Sequence, residues 1–468
     1  MKKEKRIIQD LTVGSVPGTM LRFATPLLLS GFLQMVYNMV DMMVVGHFVG
    51  TEGLSAVSIG GEVLMLITFV AMGFSNAGQI LISRYVGEQR EDLIGEMVGT
   101  LFTLLMSLAV VILAVFLMIY QDIIRWLNTP PEIWEYTRQY CITCVLGVVF
   151  IYGYNLVSAI MRGMGDSRHP FQFIAIASVV NVVLDLLFVG PLGMGPLGAA
   201  LATVIGQAVS FIFALRLLYR KREEIYFDFQ PRHFRIGKQV IRPLVSLGIP
   251  MVIQSAAVTF SMLFVNSYVN TYGTTAVAVT GVARKLEGMI GVVSQAISSA
   301  GGAMIAQALG AGKIRRVPKV VWTALWVVAI PASVFALITW LKPEWLFGIF
   351  SDDPAVLAMA VTYVPIAMVQ YLGATLRPAS FALINGSGHS FLNLMVALLD
   401  GVAARIGLAL LLGVTLGWGI RGFWYGNAFA GLVPFLIGSV YLLSGAWKKR
   451  ASQGQPAVRN AEKSPPER

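Results

Sequence analysis

The sequence predicts an all-α polytopic membrane protein, with twelve transmembrane helices in two six-helix lobes related by a pseudo-two-fold axis. Three observations carry this prediction. Charged residues make up 13% of the 468-residue chain and hydrophobic residues 56%, with a mean hydropathy of +0.72. A soluble domain carries roughly 25% charge, so this chain has too little polar surface to cover a globule. Twelve continuous apolar stretches follow one another, each near the ~20 residues needed to cross a bilayer. The two halves of the chain also resemble each other at a constant shift. The same figures exclude a disordered chain, and two cysteines, Cys141 and Cys144, exclude a disulfide scaffold.

The first stretch, 20–46, reads LRFATPLLLSGFLQMVYNMVDMMVVGH. It is too long and too polar for the apolar segment of a signal peptide, and no small-residue cleavage site follows. Five more spans are expected at 55–80, 97–120, 136–160, 171–190 and 198–218. The basic segment 219–242 then divides the chain, and six spans follow at 243–270, 281–308, 319–341, 355–383, 391–413 and 423–444. Unbroken runs, not ten-residue alternation, exclude a transmembrane barrel. The organisation is therefore an N-terminal segment 1–19, a lobe 20–218, a linker 219–242, a second lobe 243–444 and a tail 445–468.

Charge placement predicts orientation. With the N-terminus inside, 26 of the 35 Lys and Arg fall on the inner loops and tails, while only Arg125, Lys342 and Arg421 fall on the outer loops. By the positive-inside rule both termini are cytoplasmic. The net charge of +11 is then a topology signal and not the footprint of a nucleic acid.

A shift of 223–224 residues superimposes the halves. Pro26 falls on Pro250, GTEGLSAVSI at 50–59 on GTTAVAVTGV at 273–282, and SNAGQILI at 75–82 on SAGGAMIA at 299–306. RGMGD at 162–166 falls on NGSGH at 385–389, and Gly195 and Gly198 fall on Gly419 and Gly422. Five coincidences in register mark a duplication. An even number of spans per half makes the repeats parallel, which is the plan of a transporter with a central cavity.

Polar groups inside the spans then need a reason, since a mid-bilayer carboxylate costs about 3 kcal/mol by insertion scales. Gln34, Tyr37, Asn38 and Asp41 recur on one face of span one, and Asn181 and Asp185 share a face of span five. Asp41, Asp185 and Thr203 each lie about five residues, or roughly 8 Å, from the outer ends of their spans. Two carboxylates at one level require a shared proton, two protons or a sodium ion, and each option couples occupancy to an ion gradient. Pro26 gives span one a place to bend.

The second half differs. Arg405 stands where Asn181 would be and Val265 where Asp41 would be, while Glu287 and Asp400 appear elsewhere in their spans. Glu287 and Arg405 fall at similar depth, which predicts an ion pair or a place in a substrate cavity. Asp400 and Arg405 are five apart and share no face of an α-helix.

FATPLLLSGFLQMVYNMVDMMVVGHFVG at 23–50, RGMGD at 162–166, NVVLD at 181–185 and GPLGAALAT at 195–203 together resemble the MATE (multidrug and toxic compound extrusion) family, in particular its DinF-like branch. The resemblance covers about 15–445. It implies a MATE fold and an ion-coupling site of Asp41, Asn181, Asp185 and Thr203, with Pro26 as the kink of span one and Na+ or H+ as the coupling ion. It implies no cofactor. It also implies export of bulky lipophilic, often cationic compounds by a bacterial plasma-membrane monomer. Cavity candidates are Gln34, Tyr37, Asn38, Asn155, Gln254, Met262, Glu287 and Arg405.

Enzyme readings lack their motifs: Gln307 stands where a phosphate-binding loop ending at Gly312–Lys313 needs its first glycine, and neither H-E-x-x-H nor G-x-S-x-G occurs. Cys141 and Cys144 read as packing thiols within a span. A flippase of lipid-linked or amphipathic metabolites is the alternative reading. A channel or receptor fits less well, because two unequal halves give no ring of repeated pore-lining subunits.

Overall fold

The computed structural model describes residues 8–127 and 129–451. Among the described residues there are eleven single helices long and apolar enough to cross a membrane, and a bent pair that makes a twelfth span. They are α1 (Val16–Val49), α2 (Thr51–Glu88), α3 (Glu91–Trp126), α4 (Pro131–Leu146 and Val148–Gly163, bent by 47°), α5 (Arg168–Val189) and α6 (Gly195–Arg220). The second set is α7 (Ile241–Asn270), α8 (Thr274–Gly310), α9 (Arg316–Leu341), α10 (Pro354–Gly386), α11 (Ser390–Thr415) and α12 (Ile420–Ser444). Most are longer than the apolar windows that predict them. α2 has 38 residues, or about 57 Å at 1.5 Å per residue, against a hydrocarbon core of about 30 Å. Hydropathy marks only the lipid-facing middle of such a helix.

In the first lobe α1 packs on α5, α5 on α6, and α2 on α4; in the second, α7 packs on α11, α8 on α10, and α9 on α10. Cys141 and Cys144 are buried free thiols in α4. The lobes meet where α2 lies against α7 and α8. At the end of the molecule where the described residues begin and finish, near Gln9 and Arg450, two glycines bring the α2 and α8 backbones into contact. A Cβ on Gly87 would fall 2.2 Å from the Gln307 carbonyl oxygen, and one on Gly310 would fall 2.3 Å from that of Arg84. These two contacts are copies of one another under the 223-residue shift.

The segment before α1 ties the same end together. The Gln9 amide donates to Met164 O at 2.8 Å in the first lobe, and the Leu11 amide donates to Gln307 Oε1 at 2.8 Å in the second. Arg316 donates to the carbonyls of Gly14, Leu11 and Val13 at 2.9, 3.1 and 3.2 Å, and Lys313 Nζ donates to Thr12 Oγ1 at 2.6 Å. Between α6 and α7, Phe227, Phe229 and Phe234 cluster on Phe102 of α3. The basic connection is therefore anchored on the first lobe.

α11 is not a regular α-helix. Leu399–Ala404 and Leu411–Thr415 are π-helical, separated by an α-helical turn. α1, by contrast, runs through Pro26 without a break. Beside the proline, the hydroxyls of Thr25 and Ser30 donate to the Leu21 and Pro26 carbonyls at 2.7 and 2.8 Å.

Candidate functional site

The packing of α1 and α6 on either side of α5 brings the four first-lobe residues into one cluster. Asp41, Asn181 and Asp185 are buried, with Asp185 fully enclosed. Asn181 Nδ2 donates to Thr203 Oγ1 at 3.4 Å, and the Asp41 and Asp185 carboxyls lie within hydrogen-bonding reach of each other. No Lys or Arg among the described residues comes within ion-pair distance of either acid. Oδ1 of Asp41, both carboxyl oxygens of Asp185 and Oδ1 of Asn181 are buried without a donor. Leaving a buried acceptor unpaired costs about 1–3 kcal/mol, and more for a charged group. A set of oxygens with no protein donor is suited to take a proton between its carboxyls or a small cation among them. No group of three His, Cys, Asp or Glu able to hold a metal occurs among the described residues, so the donors here are mixed carboxyl, amide and hydroxyl oxygens.

The second feature is a cavity of about 430 Å³ between the lobes, formed by α2, α7, α8, α10 and α11. Asn76 and Gln79 line it from the first lobe, and Gln254, Glu287, Arg377 and Asp400 from the second. Of the residues expected in a cavity, Gln254 and Glu287 are therefore in place. Met262 and Glu287 line a smaller pocket of about 40 Å³ in the second lobe. Gln34, Tyr37, Asn38 and Asn155 line neither. The Asn155 amide is turned back on its own helix, donating to Ile151 O at 2.8 Å.

Arg405 corrects two expectations. It does not pair with Glu287. Its Nη2 donates to Asp400 Oδ1 at 2.9 Å, its Nη1 donates to Asn427 Oδ1, and both members of the ion pair are about 1% exposed. Positions five apart diverge on an α-helix, but the π-helical ring closes i to i+5 and sets them on one face. Asp400 is the second residue of the π segment and Arg405 follows it directly. Sequence reasoning also missed Arg377 and Asn427. An Asp and an Arg five apart inside an apolar span were the available sign of the π turn.

A duplicated twelve-helix bundle that encloses a polar cavity between its halves is a membrane transporter and not an enzyme. The MatE sequence profile matches residues 26–187 and again 250–411, two segments displaced by 224 residues, and the chain belongs to that family. It is similar to the probable multidrug resistance protein YoeA of Bacillus subtilis (strain 168), with 26% identity over 453 residues covering 96% of this chain and 98% of that one. Two solved structures share the fold at 22% identity. One is an outward-facing multidrug resistance MATE family transporter of the MOP superfamily, with a TM-score of 0.87 over 98% of this chain and all of that one. The other is a MATE protein in a bent conformation, with a TM-score of 0.86 over 96% of this chain and all of that one.

Proposed function

We propose that this chain is a secondary active exporter of bulky, lipophilic, often cationic molecules. It works as a monomer in the bacterial plasma membrane with both termini cytoplasmic, and it exchanges its substrate for H+ or Na+ by alternating access. The observation that carries this reading is the donor-poor oxygen cluster of Asp41, Asn181, Asp185 and Thr203, which stays stable in the membrane only with a proton or cation bound. Asp41 and Asp185 hold the coupling ion, while Asn181 and Thr203 supply neutral oxygens. Pro26, which cannot donate into the helical ladder, is the place where α1 bends when the ion leaves. The cavity that Glu287 and Gln254 line receives the substrate. Contact between the lobes at the end where Gln9 and Arg450 lie supports reading this form as the outward-facing arm of the cycle.

The energetics favour use of both gradients. One proton exchanged for a monocation is driven only by pH, about 1.4 kcal/mol per unit. A second inward charge adds about 2.3 kcal/mol per 100 mV, which two carboxylates can supply. Purified protein in liposomes, given a pH gradient and a sodium gradient separately, tests the reading with a fluorescent organic cation. Accumulation driven by one of the two gradients, and lost in Asp41→Asn, is the expected result. Flux that ignores both gradients overturns the reading.

A further inference from the structure

The acids and bases inside the second lobe fall into two kinds. Asp400 and Arg405 neutralise each other in the π segment. Glu287 on α8 and Arg377 on α10 do not: neither forms an ion pair or a hydrogen bond with any described residue, and they do not reach each other. Both line the inter-lobe cavity. Arg377 Nε is buried without an acceptor, and its guanidinium lies over Gly431, where a Cβ would come within 2.7 Å of Nη2. Arg284 shares the smaller pocket with Glu287 but forms no ion pair with it, and Arg162 is held on Gln79 of the cavity wall at 2.7 Å. Glu287 and Arg377 are thus two opposite charges that stand separate and unpaired.

We propose that the cavity is built for zwitterions, with the ammonium or iminium group of one amphipathic molecule at Glu287 and its carboxylate at Arg377. This rests on the export reading and narrows its substrate class. A simple cation satisfies Glu287 but leaves Arg377 unpaired beside it. An anion does the reverse. A molecule carrying both charges, several bonds apart, satisfies both. Arginine suits the role because its planar fork takes a carboxylate through two parallel N–H bonds. A volume of about 430 Å³ falls within the range of drug-sized pockets.

A matched dye pair tests this: a rhodamine with a free benzoate, which is a zwitterion, and its methyl ester, a monocation on the same ring system. Binding of each to the purified full chain is followed by fluorescence polarisation. The wild type is expected to bind the free acid at least as tightly as the ester. Arg377→Gln is expected to lower the acid-to-ester affinity ratio by about tenfold, the worth of one charge-assisted contact, while Arg377→Lys largely keeps the ratio. Glu287→Gln weakens both dyes together. Wild-type preference for the ester by about tenfold overturns the proposal even if Arg377→Gln folds poorly, and so does an Arg377→Gln variant that shifts both dyes alike. Wild type that binds the ester but not the acid sinks only the zwitterion site. Wild type that binds neither removes the export reading, and this inference with it.

Discussion

Asp41 and Asp185 are acceptors facing acceptors, and a single atom exchange at either position changes that balance. Asp41→Asn replaces a carboxyl oxygen with an amide that donates to Asp185 without any ion. The variant is therefore expected to be at least as stable as the parent, with a gain of about 1–3 kcal/mol from satisfying the buried oxygens of Asp185, while coupled transport falls by about tenfold or more. Thermal unfolding in detergent and initial efflux rates in vesicles read the two quantities on the same preparations. A variant that loses stability and keeps transport would place the coupling ion elsewhere. This cluster was legible in the sequence because its members obey ordinary helical spacing, Asn181 and Asp185 four apart on α5 and the polar face of α1 ending at Asp41. Its depth followed from counting 1.5 Å per residue. That count put Thr203 level with Asp41 and Asp185; its 3.4 Å contact in the structure is with Asn181, one helical turn from Asp185.

At the scale of the element, α11 shows where the same arithmetic stops working. Periodicity arguments assume 3.6 residues per turn, and on that assumption Asp400 and Arg405 point apart. The π-helical ring between Leu399 and Ala404 changes the period locally, so the pairing of Arg405 is missed by any reading that assumes an α-helix, and the five-residue spacing of two opposite charges was the one sign of it. The same assumption left Glu287 as the nearest partner for Arg405. The pair is nearly inaccessible, at about 1% exposure for each member, and removing one partner of a buried ion pair costs about 3–5 kcal/mol. Arg405→Met is accordingly expected to lower the unfolding free energy by that amount. Asp400→Asn combined with Arg405→Met should recover most of the loss, because no uncompensated charge then remains. A double variant as unstable as the single one would mean that the π segment needs the ion pair itself and not merely neutrality. α1 gives the opposite lesson: Pro26 was legible, but the helix passes through it unbroken, because a proline removes one ladder donor without dictating that the chain must bend.

For the whole molecule, the duplication gives two sets of glycine contacts whose roles can be separated. Gly163 packs on Ile82 of α2, with a Cβ position 2.8 Å from the Ile82 Cβ, and its repeat mate Gly386 packs at 2.8 Å on Ile305 of α8. Both contacts lie inside a lobe. Gly87 and Gly310 are a second pair under the same shift, but they bring one lobe onto the other through backbone oxygens at 2.2 and 2.3 Å from the absent Cβ atoms. A methyl group cannot fit at those distances, since carbon and oxygen settle near 3.5 Å. Gly163→Ala and Gly386→Ala should therefore destabilise their lobes by about 1–3 kcal/mol through overpacking. Gly87→Ala and Gly310→Ala can be relieved by separating the lobes, at the sole expense of the interface and of the strap that Arg316 and Lys313 hold. The between-lobe pair is expected to keep a near-parental unfolding temperature and to open the end near Gln9 and Arg450. Ser298 lines the cavity, and the native thiols Cys141 and Cys144 are buried, so a Ser298→Cys background reports that opening by its labelling rate from that end of oriented vesicles. Faster labelling in Gly87→Ala/Gly310→Ala, but not in Gly163→Ala/Gly386→Ala, is the outcome that assigns the lobe contact to gating. Equal loss of unfolding temperature in both pairs would instead make the α2–α8 contact part of a single fixed core.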